Sequence, residues 1–292
     1  MSFSKAALGY KILGNCCAYT PKPVLDLVLP TISKVYHRLD KVHAQYVRNN
    51  LKILSEHTGE DYSHLEKIIF KNFASYLVEF FRAGIRKDIL VNDQSKEMFH
   101  KYFGLPGEKA NLILVGHYGN CEMALRHLLD SGYRVTTVAM NHQDKKVDAF
   151  FTRMRQHANI SVSYLDQGLK PCIRALKKKE ILALACERDY SGNGLKINIA
   201  GKQVSFPHGP ATLISKFKPE TFLGVYKRVS FGNFQCDLQK FDFSDYLGDN
   251  QKITQVISDK LFEYIYEDPS QWITFDDFFG MSFNHKKITE EL

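Results

Sequence analysis

The segment from Asn111 to Leu129 constrains the fold more than any other part of the chain, and it reads NLILVGHYGNCEMALRHLL. Its first residues form a short, nearly all-apolar run that ends at Gly116, which is typical of a strand buried on both faces of a parallel sheet. Apolar residues then recur at helical spacing. The pattern therefore predicts a strand, a tight turn through Gly119 and Asn120, and a helix.

Two side chains with catalytic potential lie at this junction. His117 is predicted in the turn, and Glu122 follows five residues later in the first turn of the helix. A carboxylate can fix one imidazole nitrogen as a donor and leave the other free to accept a hydroxyl proton, so the pair fits general-base chemistry. From these residues alone an alternative stays open, in which His117 caps the helix and Glu122 complements the helix dipole.

Two other chemistries fit the sequence less well. A serine hydrolase of the α/β type would need a Gly-x-Ser-x-Gly elbow, which the sequence lacks, and Cys121 is predicted inside the helix as a small buried residue. A zinc site is disfavoured because the chain has neither His-Glu-x-x-His nor paired Cys-x-x-Cys spacing. No metal and no cofactor is therefore predicted.

The remaining periodicity predicts an α/β fold with a central, mostly parallel sheet flanked by helices. An amino-terminal helical extension precedes it. The predicted elements are helices 21–37, 40–57 and 61–83, strand 111–115, helix 120–130, strand 133–140, helix 146–158, strand 160–165, helix 169–179, strand 181–187, a hairpin at Ala200-Gly201, helix 209–217, strands 220–228 and 233–240, and helix 249–267. The hairpin and the last two strands are predicted to extend the sheet. With no internal repeat or long linker, one domain over residues 1–292 is expected, helical over 1–105 and α/β over 106–292.

Charge and cysteine content limit the environment and the partners. The sequence carries 39 Lys and Arg against 32 Asp and Glu, a formal charge of +7, which favours acidic partners. No nucleic acid is predicted as a partner, because the chain has no zinc-finger or RRM signature and no sustained basic-aromatic patch. Six cysteines without a disulfide framework, and no signal peptide, indicate a cytoplasmic protein.

Four ordered blocks carry a resemblance to a known family. The HYGNCE block resembles the His-x-x-x-x-Asp/Glu motif of the glycerolipid acyltransferase superfamily, in the His-x-Gly-Asn-x-Glu form of the lipid A biosynthesis acyltransferase family. Residues 184–194, 199–211 and 268–275 resemble that family's Asp-Arg-Asp strand end, its glycine-rich hairpin with Pro-x-Gly-Pro-Ala, and its Pro-x-Gln-Trp block. The segment at Asn49, Asn50 and Leu51 resembles its Arg-x-x-x-x-Asn-Leu segment, so the resemblance covers nearly the whole chain.

The resemblance implies a set of site residues. His117 is expected to be the catalytic base and Glu122 to orient and stabilise its imidazole. Amides near Gly119, together with Asn120 and the Arg188 guanidinium, are expected to orient the site and stabilise the developing oxyanion. The residues expected to bind substrate are Arg153, Arg155, Glu187 and Asp189, with Glu187 standing where many relatives carry Asp.

The implied reaction moves an acyl group from a carrier thioester to a hydroxyl or amine of an amphipathic acceptor, such as a lipid A-like glycolipid. Acyl carrier protein is the preferred donor and coenzyme A the second. The sequence has no apolar run of about 18 residues that would span a bilayer, so the protein is expected on the anionic inner face of the cytoplasmic membrane as a peripheral protein. A catalytically silent lipid-binding protein and an acyl hydrolase are the alternatives.

Overall fold

Five helices occupy the amino-terminal part of the chain. The structure is a computed structural model that describes residues 5–86, 93–139, 144–155, 160–164 and 167–280. The helices that precede the first strand in these ranges are α1 (Lys5–Tyr19), α2 (Lys22–Leu39), α3 (Lys41–Thr58), α4 (Glu66–Ile85) and α5 (Asp93–Phe103). The three helices predicted here correspond to α2, α3 and α4, whereas α1 and α5 were not predicted.

Capping explains where α3 begins and ends. Asp40 is the N-cap of α3, because its carboxylate accepts the backbone N–H of His43 at 3.2 Å. Gly59 ends the same helix with φ of 80°, a left-handed conformation that glycine adopts without a steric penalty. The helix α4 lies against α1 and α2, with Phe80 and Phe81 buried in their common core.

The α/β part of the chain follows and confirms the predicted fold class. Its elements are β1 (Asn111–Gly119), α6 (Cys121–Asp130), β2 (Val135–Ala139), α7 (Lys145–Arg155), β3 (Ile160–Tyr164), α8 (Lys170–Lys177), β4 (Ile181–Ala185), β5 (Leu195–Ile199), β6 (Lys202–Phe206), α9 (Gly209–Phe217), β7 (Glu220–Ser230), β8 (Asn233–Phe241) and α10 (Asn250–Glu267). Predicted element ends at residues 140, 156–158 and 165 lie outside the described residues.

The central sheet has the strand order β3-β2-β4-β1-β7-β8, in which the β7–β8 pair is antiparallel and the other pairs are parallel. The prediction that the hairpin extends this sheet is wrong. Strands β5 and β6 form a separate antiparallel pair, because their buried residues Ile197 and Val204 pack in the core beside Ile253 and Ile257 of α10. The hairpin thus covers the main core without joining its sheet.

Strand β1 is longer than predicted. Its pairing with β7 shifts register between Val115 and Gly119, and the strand then continues to the pair formed by Gly119 and Tyr226. His117 therefore lies within a strand and not in a turn, at an irregularity that is typical of functional sites. Strand β4 ends at Ala185, so the charged residues that follow it lie beyond the strand.

The segment after α10 crosses the carboxyl end of β1. Trp272 forms an isolated bridge with Tyr118, and the backbone N–H of Ile273 donates to the carbonyl oxygen of His117 at 2.7 Å. Trp272 is buried and packs against Phe278, with ring centroids 5.0 Å apart. The Pro-x-Gln-Trp block therefore fixes the backbone on which His117 is carried. Among the described residues, no helix is both long and apolar enough to cross a membrane.

Candidate active site

The carboxylate hydrogen-bonded to His117 belongs to Glu187. One oxygen, Oε1 of Glu187, lies 2.6 Å from Nδ1 of His117 and also accepts the backbone N–H of His117 at 2.7 Å. Strands β1 and β4 are neighbours, so their carboxyl ends bring the two residues together. The imidazole is held through Nδ1, which leaves Nε2 to face a substrate.

Glu187 is held in its charged form. Its burial by itself would raise the pKa of the carboxyl, but the charge and hydrogen bonds of His117, together with the Arg188 guanidinium, outweigh burial and lower the pKa from 4.5 to about 2. A buried carboxylate of this kind fixes the imidazole tautomer with Nδ1 protonated. It also stabilises the imidazolium that forms when Nε2 accepts a proton.

Glu122 was predicted to orient the imidazole, but in the structure its carboxylate contacts Arg155 instead. Glu122 Oε1 accepts hydrogen bonds from Nε of Arg155 at 2.8 Å and pairs with its Nη2 at 2.8 Å. The carboxylate lies in the first turn of α6 and the guanidinium in the last turn of α7, so the pair joins the two helices. Arg155 was also expected to bind substrate, and its guanidinium stacks over the Phe80 ring at 5.8 Å.

Position 119 requires glycine, because the backbone of β7 lies too close to leave room for a side chain. Gly119 has φ of +67°, and a Cβ atom at this position would lie 1.9 Å from the carbonyl oxygen of Tyr226. Asn120, expected to orient the transition state, is instead fully buried: its Oδ1 accepts the Met123 N–H at 3.2 Å, and its Nδ2 donates to Glu79 at 2.7 Å. Asn120 therefore caps α6 and ties it to α4, a structural role.

Glu79 is the centre of a buried ionic network that the sequence did not indicate. Its carboxylate pairs with Arg228 of β7 at 2.7 Å and accepts the backbone N–H of Gly232 at 3.0 Å. Both charged side chains are nearly inaccessible to solvent, so the pair depends on its hydrogen bonds to offset desolvation. The network fixes α4, α6 and β7 relative to one another.

Arg188 is anchored by the segment that follows α10. Its Nη2 donates to the carbonyl oxygen of Ile273 at 2.9 Å, and its Nη1 lies 3.2 Å from the Asp276 carboxylate. Asn50 of α3 holds the same segment, since its Nδ2 donates to the Asp276 carbonyl at 2.7 Å and its Oδ1 accepts the Phe278 N–H at 3.1 Å. The segment thus places one end of Arg188, while Nε has no hydrogen-bond partner among the described residues.

Asp189 shapes the loop after β4, although it was expected to bind substrate. Its carboxylate accepts hydrogen bonds from the backbone N–H and hydroxyl of Ser191, the Ser205 hydroxyl and the Gly194 N–H. Gly194 is needed here, because a Cβ would lie 2.5 Å from Oδ2 of Asp189. With these acceptor positions filled, the Asp189 carboxylate holds the loop rather than a ligand.

A cavity of about 830 Å³ opens beside His117. Its size is in the range of pockets that enclose small-molecule ligands. The polar side chains that line it include His117, Glu122, Arg155, Arg188, Asp189, Tyr190 and His208. Its apolar lining comes from α5, α6 and the sheet, and includes Phe99, Phe103, Ile113, Val115, Leu125, Leu128, Ala183 and Leu238. The cavity is therefore polar around the histidine and apolar in depth.

The cavity lining shows which of the predicted site residues lie together. It brings together five of the predicted site residues, His117, Glu122, Arg155, Arg188 and Asp189, whereas Arg153 is exposed on α7. Tyr190 and His208 were not predicted as site residues. Tyr190 stands two residues beyond Arg188, and its hydroxyl lies 3.3 Å from that guanidinium. Its proximity to the charged strand end was the one sequence signal that could have indicated it.

A carboxylate–histidine pair at the rim of a deep apolar cavity is the arrangement of an enzyme whose substrate carries a long apolar group. The family model of bacterial lipid A biosynthesis acyltransferases matches residues 7–279, so the chain belongs to this family and is an acyltransferase. The family predicted from the four sequence blocks is confirmed.

Similar proteins agree with this assignment. The phosphatidylinositol mannoside acyltransferase of Mycolicibacterium smegmatis is 23% identical over 234 residues, which cover 78% of this chain and 76% of that protein. Proteins of the same name from two Mycobacterium tuberculosis strains are 26% and 25% identical over 168 and 167 residues, covering 55% of this chain and 52% of each protein.

Proposed function

We propose that the protein transfers an acyl group from a carrier thioester to a hydroxyl or amine of an amphipathic glycolipid. The observation that carries this proposal is the contact between His117 and Glu187 at the mouth of the apolar cavity. The names of the family and of the mycobacterial relatives refer to lipids that carry sugars, which supports a glycolipid acceptor.

The mechanism requires one base and one site for the oxyanion. Nε2 of His117 accepts the proton of the acceptor hydroxyl as its oxygen attacks the thioester carbonyl, and Glu187 stabilises the imidazolium that results. The negative charge that develops on the carbonyl oxygen is stabilised by the Arg188 guanidinium and by backbone amides near Gly119. The tetrahedral intermediate then collapses, the carbon–sulfur bond breaks, and His117 returns the proton to the leaving thiol. No covalent acyl-enzyme is formed.

Glu122 and Arg155 are assigned to substrate binding at the cavity mouth. Their ion pair lines the cavity, and a guanidinium held in a fixed plane is suited to a phosphate on the acceptor or on the pantetheine arm of the donor. Arg155 is the better placed of the two arginines of α7, because Arg153 faces solvent.

The donor is proposed to be an acyl carrier protein, with coenzyme A as the second candidate. The formal charge of +7 favours an acidic carrier, and charge attraction of this kind acts mainly on the association rate. Both donors belong to the cytosol, and all six cysteines are free thiols, so we place the protein on the inner face of the cytoplasmic membrane.

A direct comparison of donors tests this proposal. The same acyl group is offered on acyl carrier protein and on coenzyme A, and kcat/KM is measured at two salt concentrations with a glycolipid acceptor. We expect the carrier protein to be the better donor, with an advantage that shrinks above an ionic strength of about 0.1 M. Equal or better use of coenzyme A at both salt concentrations contradicts the carrier assignment. Thioester consumption that does not depend on the acceptor identifies a hydrolase.

A further inference from the structure

The exposed apolar side chains of this protein are concentrated on its first helices. Of the 18 large apolar side chains that are exposed in the described chain, 12 lie between residues 8 and 42. Scattered exposed apolar residues are normal on any protein surface, whereas a contiguous group marks an interaction site. The group lies on α1, on α2 and at the start of α3.

The helix α2 has two apolar faces, and only one of them is covered. Leu25 and Leu29 are buried against α4 in the core that contains Phe81. A second set recurs at helical spacing on another side of the helix, and Leu27 and Leu39 in this set are 77% and 79% exposed. The exposed set consists of Val24, Leu27, Ile32, Val35 and Leu39. Within α1, Leu8 and Ile12 add a further exposed apolar strip one turn apart.

The charges around these side chains indicate the chemistry of the partner. Residues 5–41 carry six Lys and Arg against two Asp, a larger share of positive charge than the chain as a whole. Lys34 and Arg38 lie one turn apart and border the exposed apolar set of α2. Apolar side chains flanked by Lys and Arg are the signature of helices that lie in the interface of an anionic bilayer. Two copies of this chain would instead bring like charges together.

Helix α1 also borders the cavity mouth, through Tyr10 on the side of the helix away from Leu8 and Ile12. This side chain of α1 is 38% exposed and also lines the cavity beside His117. Its ring packs against Phe150 and Phe151 of α7, with centroids 6.3 and 5.2 Å away. The helix that carries Leu8 and Ile12 therefore forms one border of the opening through which a substrate reaches the histidine.

We propose that the surface formed by Leu8, Ile12, Val24, Leu27, Ile32, Val35 and Leu39, here named the α1–α2 face, lies on an anionic lipid bilayer. The acceptor then passes from the bilayer into the cavity beside Tyr10, so that its polar head meets His117 without the lipid leaving the membrane. This inference rests on the proposed function for the identity of the acceptor, but the attachment itself does not require it.

Vesicle flotation tests the attachment directly. The full chain is mixed with vesicles of phosphatidylcholine alone or of phosphatidylcholine with phosphatidylglycerol, at low and high salt. We expect binding to the anionic vesicles that weakens as salt rises. The double variant Leu27→Gln, Leu39→Gln should bind more weakly by roughly tenfold or more, because it removes exposed apolar area and leaves the core unchanged. Leu105→Gln is the matched control, since Leu105 is 62% exposed but lies outside the face.

Two further measurements separate the outcomes. The variant His117→Ala should float like the wild type, so an inactive protein that still binds vesicles leaves the surface assignment intact even where the proposed function fails. Wild-type binding by the Leu27, Leu39 double variant overturns the assignment. Sedimentation velocity tests whether a second copy of the chain covers this surface instead of a bilayer. If the wild type is a dimer, the double variant dissociates it and vesicle binding is unchanged, the surface is a contact between copies.

Acceptor entry is tested with the same double variant. With the acceptor presented in vesicles, the kcat/KM of the double variant should fall roughly in proportion to its loss of vesicle binding. With the acceptor in detergent micelles, the kcat/KM of the variant should match that of the wild type. An equal fall in both presentations contradicts entry from the bilayer.

Discussion

Oε1 of Glu187 bridges two nitrogens of His117, the ring Nδ1 at 2.6 Å and the backbone N–H at 2.7 Å, although the two residues are 70 positions apart in the chain. The single oxygen therefore fixes both the backbone and the ring of the proposed base. The other oxygen of Glu187 is buried without a hydrogen-bond partner in the described part of the chain, so the carboxylate depends on His117 and on the neighbouring charge of Arg188.

The substitution His117→Ala should remove transfer activity by on the order of 10²–10⁴-fold, because no other group would accept the hydroxyl proton. The imidazole is 32% exposed, but its loss also removes the ring partner of the buried Glu187 carboxylate, so the melting temperature should fall while the protein stays folded. Steady-state transfer, with thermal melting as the control, decides this. Normal turnover by a folded His117→Ala protein contradicts the mechanism.

Glu187→Gln and Glu122→Gln should have different effects. Removing the charge of Glu187 disfavours the imidazolium, so kcat should fall by roughly a hundredfold and the acid limb of the pH–rate profile should move to lower pH. Glu122→Gln should leave that limb in place and act mainly on KM, because Glu122 contacts Arg155 and not the imidazole.

The measurement is the pH–rate profile of each variant beside that of the wild type. The loss of the charged contact to Arg155 should also cost Glu122→Gln about 2 kcal/mol of stability, which urea unfolding measures. A shifted acid limb in Glu122→Gln, with none in Glu187→Gln, would return the orienting role to Glu122.

The site was predictable to the extent that it is local in sequence. The strand-to-helix junction and the placement of Glu122 in the first turn of α6 followed from the apolar pattern alone. The partner of His117 did not, because spacing along the chain does not state which strand lies beside β1. Glu187 reaches the histidine only because β4 is the neighbour of β1 in the sheet.

There is also a physical reason why α1 was not predicted. The buried residues of α1 are mainly small, such as Ala7, Gly14 and Ala18, while several of its large apolar residues face solvent. A search for one apolar stripe does not find such a helix. Asn120 was assigned to the active site because it belongs to the block that resembles the family's His-x-Gly-Asn-x-Glu motif, but its buried contact with Glu79 of α4 depends on tertiary packing that the motif does not reveal.

Stability should fall as pH decreases from about 6.5 to about 4, because of His127. Its ring is largely buried on α6 and hydrogen-bonded to the Tyr226 hydroxyl, and burial lowers its pKa from 6.5 to about 4. The unfolded chain therefore binds a proton in this pH range that the folded chain does not, which destabilises the fold by up to roughly 3 kcal/mol.

Urea unfolding between pH 4 and pH 7 measures this dependence. The variant His127→Asn should flatten the profile, whereas His64→Asn, at an exposed position, should keep the wild-type slope. The contribution of Glu187 is separate, since its lowered pKa places the loss of stability between pH 4.5 and about 2. A His127→Asn profile as steep as that of the wild type assigns the acid sensitivity to other groups.

The depth of the cavity should determine the preferred acyl length. Phe99 and Phe103 line it and are buried in the cluster that contains Ile113, which precedes His117 by four residues on β1, a strand distance of roughly 13 Å. Phe99→Leu should shift the preference towards longer acyl groups, because it opens space far from the histidine. Gly224→Val should shift it towards shorter ones, since even a Cβ there lies 3.0 Å from Leu238.

The measurement is kcat/KM for a series of acyl thioesters of increasing length with each variant. A change on the order of tenfold in the ratio between long and short chains is expected, the discrimination that a methylene or two gives in an apolar pocket. Leu105→Gln again serves as the control, since Leu105 does not belong to the apolar lining described above. A uniform loss across all lengths would indicate that the two substitutions disturb the fold, and an unchanged preference in both variants would place the acyl chain elsewhere.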